Sequence, residues 1–316
     1  MRILVALLSL HLALSLGFVL VTAAFLALLR GERLRAHREA LGWLTREWLG
    51  TALVILIRPL GTWMRPPFAA AGAPREPEDL PPAAAMAPPV IMVPGYGMNR
   101  SCFTFLAAWL RRRGWRWVWG INNQPVSRPV PVYAANLAQR VEELCQASGA
   151  AEVDIVAHSM GGLIAAWYVG HLGGQRRVRR LVTLGTPWQG SRIAVFGRQR
   201  ESMDLLPGSE IVTRLGPPTV PTTCIWSRGD TIVLPPEHAL RPGARHHELP
   251  WVGHLSLLLS ARAYRLVAQA LSSSPADFGP ADTLPTPADL DSVPTAGEQG
   301  GAQEDRDADL RTSPSP

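Results

Sequence analysis

The chain opens on an apolar run. From Ile3 to Leu29 there are 27 residues without a charge, interrupted only by Ser9, His11, Ser15 and Thr22. About 20 apolar residues suffice to cross a bilayer as a helix, so 3–29 predicts a membrane span. A signal peptide has a shorter apolar core, about 7–15 residues, and the run therefore reads as an uncleaved anchor. The next apolar stretch, Trp48–Ile57, is short for a span. Residues 41–64 make a candidate second span if Arg58 snorkels, or an interfacial segment anchored by Trp43, Trp48 and Trp63. Residues 66–89 are rich in Pro and Ala and read as a linker.

From Val90 the pattern becomes regular. Strands are predicted at Val90–Val93, Trp115–Ile121, Val153–Ala157, Val178–Leu184, Thr222–Ser227 and Arg245–Leu249. Helices are predicted at Ser101–Arg113, Tyr133–Ala147, Ser159–His171 and Ser256–Leu271. Strands alternating with helices at this spacing imply one α/β domain over 90–271, a mainly parallel sheet with helices on both faces. Trp115, Trp117 and Trp119 alternate, which puts three rings on one strand face, as core. Residues 272–316 combine many Pro, Asp and Ser with few large apolar groups, so they are expected to be a disordered acidic tail.

Charge changes this picture in one respect. The net charge is +6, every basic residue is Arg, and the tail carries nine acids against Arg306 and Arg311. The rest of the chain is therefore strongly basic. No nucleic-acid module accompanies that charge, and Arg30, Arg33, Arg35, Arg38 and Arg46 adjoin the apolar run, which favours membrane headgroups. With a single span these arginines would hold the domain in the cytoplasm; with a helical hairpin they would place it on the outer face. The hairpin is the topology expected here. Cys102, Cys145 and Cys224 are too few and too scattered for a disulfide framework or a zinc site, and no ligand set for calcium or another metal stands out.

The densest chemistry is Ala157-His158-Ser159-Met160-Gly161-Gly162, between an apolar strand and an apolar helix. A serine hydroxyl becomes a useful nucleophile when a sharp strand-to-helix turn holds it where a base and a carbonyl both reach it. Such a turn tolerates only small flanking residues, here Ala157 and Gly161. Its oxyanion would need two backbone amides. Met160 follows the serine, and Tyr96 lies in the glycine-bearing loop Pro94-Gly95-Tyr96-Gly97 after the first strand of the domain. The acid and the base are expected later in the chain, in that order. Asp230 follows the strand Thr222–Ser227, and His254 lies on the loop before the last helix. His158, His171, His238, His246, His247, Asp154 and Asp204 are weaker candidates by position.

These pieces resemble the small bacterial lipases of the α/β-hydrolase superfamily, the class 2 triacylglycerol lipases. The resemblance rests on Val90–Gly95, Ala157–Gly162, Val182-Thr183-Leu184-Gly185-Thr186-Pro187, Ser227-Arg228-Gly229-Asp230 and Val252-Gly253-His254. It implies an α/β-hydrolase fold and hydrolysis of lipid or fatty-acyl esters through an acyl-enzyme, without an organic cofactor. It also implies a bacterial inner-membrane location for the anchored chain. The family usually has His before Gly95, where this chain has Pro94, so loop shape and substrate preference are open. Thioester hydrolysis, or transfer or removal of an acyl chain on a lipid-linked substrate, would use the same residues; a catalytically silent scaffold is the third reading. Thr186–Leu215 has room for a small flap, with Trp188, Phe196 and Leu206 as candidate acyl-groove residues. No protein partner is inferable.

Overall fold

The computed structural model describes residues 2–30, 38–63, 87–197 and 199–273. Most of the expected linker and nearly all of the expected tail lie outside them. The domain is built on six parallel strands: β1 (Val90–Val93), β2 (Val118–Gly120), β3 (Val153–His158), β4 (Val178–Leu184), β5 (Thr222–Trp226) and β6 (Arg245–Glu248). Their order is β2-β1-β3-β4-β5-β6. Every residue of β1, β3 and β5 is buried, as expected of strands covered on both faces.

Two apolar layers provide that cover. One face carries Leu137, Val141 and Leu144 of a helix over Val130–Ser148 together with the helix Met160–His171. The other carries Leu106 and Leu110 of Thr104–Arg111 with Tyr264, Val267 and Leu271 of Ala261–Ser272. In chain order, the N-terminal helices Arg2–Arg30 and Arg38–Leu56 are α1 and α2, and these four are α3 (Thr104–Arg111), α4 (Val130–Ser148), α5 (Met160–His171) and α6 (Ala261–Ser272). The alternating tryptophans differ from expectation. β2 is only three residues long, so Trp117 and Trp119 lie with one layer and Trp115 with the other.

The larger correction concerns 41–64. The segment does not read as a second span. Among the described residues only Val5–Leu29 of α1 is long and apolar enough to cross a membrane. Instead α2 is docked on the domain. Its residues Trp43, Glu47, Thr51 and Val54 are all at most 1% exposed, and their spacing puts them on one helix face. Beyond its end, Asn99 Nδ2 donates to the Arg58 carbonyl and Arg100 Nε to that of Gly61, each at 2.8 Å. The two helices do form an antiparallel pair: Trp48 Nε1 donates to the Leu12 carbonyl at 3.0 Å, and His11 Nε2 lies 2.9 Å from that of Ala52.

Candidate active site

The sheet order reverses between β1 and β3, so the loops leaving their C-terminal ends diverge and open a crevice, the usual ligand position in such sheets. Register then places the first two parts of the site. Val93 pairs with Ala157, which sets Pro94 and Gly95 beside His158 and Ser159. The approach is so close that a Cβ on Gly95 would stand 2.7 Å from the Ser159 Cβ.

Ser159 is the junction between β3 and α5. Its backbone lies at φ 54° and ψ −129°, a conformation that costs a non-glycine residue roughly 1–3 kcal/mol and persists only where neighbours impose it. They do. The Ser159 amide donates to the Leu184 carbonyl and its carbonyl accepts from Thr186 Oγ1, both at 2.9 Å. A Cβ on Gly161 would stand 2.2 Å from the Val93 carbonyl oxygen, and one on Gly162 would stand 2.1 Å from Thr186 Oγ1. The small residues after the serine therefore let α5 pack against β1 and the loop after β4. Met160 is the first residue of α5, so its amide has no partner within the helix. Tyr96 is in a turn closed by the Met98 amide on the Gly95 carbonyl at 3.2 Å, with Gly97 at φ +65°.

Asp230 and His254 come together in a dry setting. They are 1% and 3% exposed, and the His254 Nδ1 to Asp230 Oδ2 distance is 2.8 Å. The other Asp230 oxygen accepts the amides of Ile232 and Val233, both at 2.8 Å, which fixes the carboxylate plane. Burial alone would press the His254 pKa down; the Asp230 charge and hydrogen bond, with a smaller contribution from Glu47, outweigh it and raise it. The His254 ring centroid is 4.6 Å from that of His158, the residue before Ser159, and the His254 carbonyl is 3.2 Å from His158 Nε2. Burial, and then the neighbouring His254, hold His158 well below the ordinary histidine value, so it stays neutral. Among the described residues the Ser159 hydroxyl makes no hydrogen bond to His254. Such bonds are often long before substrate binds.

This arrangement has known counterparts. A family model described as the alpha/beta hydrolase fold matches residues 88–205. The chain is similar to Aspergillus fumigatus lipase B, at 20% identity and a TM-score of 0.53, over 62% of this chain and 54% of that one. It is also similar to Bacillus licheniformis lipase BlEst2 in its mature form, at 18% identity and a TM-score of 0.53, over 64% of this chain and 97% of that one. The chain has the α/β-hydrolase fold. It spans about half the length of the Aspergillus lipase, and likeness at such identity speaks to fold alone.

Within this fold four of the weaker candidates have structural partners. Asp154 takes a two-pronged bond from Arg179, with Nε to Oδ1 at 2.8 Å. Asp204 caps the Val130 amide at 2.6 Å, His171 stacks on Trp167 at 4.1 Å, and His238 Nδ1 lies 2.9 Å from the Gly190 carbonyl. The three candidate groove residues are not brought into one groove. Trp188 is core, with the Arg241 guanidinium 4.2 Å above its ring. Leu206 is half-buried against the same layer as Tyr96, and Phe196 is 69% exposed, edge-on to Phe25 of α1 at 5.9 Å. A cavity of about 480 Å³, lined by none of these three residues, is walled by Arg100, Trp119, Asn122, Asn123 and Tyr133.

Sequence reasoning missed two residues that shape the site. Ser227 Oγ accepts the amides of Gly229 and Val252, each at 3.0 Å, so it ties the Asp230 loop to the His254 loop. Glu47 of α2 accepts the two amides after His254. The available signal for Glu47 was its spacing, an acid four residues after Trp43 and so on the same helix face.

Proposed function

We propose that the chain is a serine hydrolase of lipid or fatty-acyl esters, as its resemblance to small lipases implies. Ser159 Oγ attacks the ester carbonyl while His254 Nε2 takes the hydroxyl proton. The amides of Met160 and Tyr96 receive the oxyanion. Collapse of the tetrahedral adduct breaks the C–O bond to the alcohol, which leaves with the proton returned by His254. Water, deprotonated by the same imidazole, then releases the acid from Ser159. Asp230 keeps the Nδ1 proton in place throughout, so that Nε2 remains the basic nitrogen. The observation that carries this reading is the buried 2.8 Å His254–Asp230 pair beside a serine held in a strained backbone conformation.

A lipid substrate agrees with α1. Its outer face exposes Val5, Leu7, Leu10, Leu14, Phe18 and Val21, more apolar surface than a monomer normally leaves in water, and we assign that face to a bilayer. Among the described residues α1 is the one candidate span, with its inner face packed beside Trp43 and Leu234 through Ala23 and Leu26. The arginines that follow it then favour the cytoplasmic side for the domain, the reverse of the hairpin topology. Two experiments test these parts. A fluorophosphonate probe is expected to label the detergent-solubilised protein and to miss Ser159→Ala; equal labelling of both ends the hydrolase assignment. Alkaline carbonate is expected to leave the full chain in the membrane pellet, whereas release into the supernatant removes α1 as an anchor. Ester and thioester series of increasing chain length define the substrate.

A further inference from the structure

Glu47 is a buried carboxylate, 1% exposed, that the mechanism above does not use. Its Oε1 accepts the Leu255 amide and its Oε2 the Ser256 amide, each at 3.0 Å. These are the two residues after His254. On the other side of the histidine, a Cβ on Gly253 would stand 2.1 Å from Glu47 Oε2, so any larger residue there would displace the carboxylate. One turn earlier on the same face of α2, Trp43 Nε1 donates to the Gly229 carbonyl at 3.1 Å, directly before Asp230. The Trp43 ring also meets Trp251 edge-on at 5.8 Å, and Trp251 has φ +52°. One helix face thus grips both the acid loop and the base loop.

An apolar residue would fill a helix–loop contact at lower cost, because burying a carboxylate forfeits its hydration. Two charge-assisted bonds to backbone amides offset part of that cost and fix the direction of the loop. We propose that Glu47 is a positioning residue for His254, an inference that rests on the serine-hydrolase reading. Burial raises the Glu47 pKa, opposed by its bonds to Ser256 and Leu255; in its ionised form it holds the backbone at 253–256 so that the imidazole keeps its bond to Asp230 and faces Ser159. It also adds a second negative charge near the imidazolium formed during attack. The titratable groups facing His254 are then Asp230, the neutral His158 and Glu47.

The test compares the full-length, detergent-solubilised wild type with Glu47→Gln and Glu47→Asp. Active sites are counted with the fluorophosphonate probe, and kcat, KM and the pH profile of kcat/KM are measured on a soluble nitrophenyl ester. Glu47→Gln removes the charge and turns an acceptor oxygen into a donor facing an amide. It is expected to lower kcat per labelled site by about 10-fold to 100-fold with little change in KM. Loss of a nearby negative charge also makes the imidazole less basic, so the acid limb moves to lower pH. Glu47→Asp keeps the charge, and its acid limb is expected to stay near the wild-type position while kcat falls. Wild-type kcat per site with an unmoved acid limb in Glu47→Gln overturns the proposal while leaving the hydrolase reading intact. A wild type that fails to label overturns the underlying reading itself. If Glu47→Gln does not fold, Glu47→Asp decides: a lowered kcat per site with an unmoved limb supports the proposal, and an unchanged kcat overturns it.

Discussion

The serine turn and the histidine loop are adjacent in space but held by different means. Around Ser159 every constraint is a near neighbour in the sheet: the carbonyls of Val93 and Leu184 and the side chain of Thr186. Around His254 the constraints are side chains outside the strands: Glu47 and Trp43 on α2, 208 and 186 residues from the backbone groups they bind, and Ser227 just after β5. A strained residue between a strand and a helix can be imposed by sterics alone, provided its neighbours are small. A loop has no backbone ladder to fix it, so it needs polar tethers from whichever element passes by.

The largest test of this contrast is on the turn. Ser159→Ala is expected to lower ester hydrolysis by about 10⁶-fold in kcat without changing the unfolding midpoint in urea. Residual activity within tenfold of wild type would mean that the nucleophile lies elsewhere. Next are the two glycines, one in each region. In Gly161→Ala the new methyl meets a sheet carbonyl that cannot move, and the expected destabilisation is at the upper end for a point change, about 4 kcal/mol or more. In Gly253→Ala it meets the end of a side chain, so the cost is smaller, and most of it is expected to disappear in a Glu47→Ala background. Equal costs for the two glycines, or strict additivity with Glu47→Ala, would erase the distinction. The smallest effect is in the pH profile. The base must be neutral to accept the serine proton, and His254 is raised above the ordinary 6.5. Activity is therefore expected to fall as pH drops through a midpoint above that value. A midpoint below it would show that burial outweighs Asp230.

Much of the sheet could be read from the sequence because its strands are short unbroken apolar runs and its turn needs particular small residues. Val178–Leu184 matches expectation at both ends, and Val153–His158 and Thr222–Trp226 differ by one residue. Asp230 and His254, which the structure pairs at 2.8 Å, stand out in the sequence as candidates because each follows a recognisable element. Elsewhere the pattern under-determined the structure. Apolar periodicity says that a helix face is covered, not whether protein or lipid covers it. Hence 41–64 read as a second span or an interfacial segment, although Trp43 and Glu47 bury against loops 186 and 208 residues away. Trp115, Trp117 and Trp119 alternate in sequence, but β2 is too short to impose alternation on all three. Trp188 read as groove because an aromatic near a flap fits either place, and the stacked Arg241 that marks it as core is remote in sequence.

The docking of α2 also bears on where this protein can be divided. Composition suggests a cut in the Pro- and Ala-rich stretch 66–89, which would yield a fragment with the whole sheet and Ser159, Asp230 and His254. That fragment would lack Trp43 and Glu47, leaving the amides of Leu255 and Ser256 without their acceptor and a trough where an indole had been. It would keep all three of the proposed reacting groups and lose the contacts of Glu47 and Trp43 with the loops that carry two of them. The boundary between the N-terminal helices and the α/β domain runs through the side chains of α2.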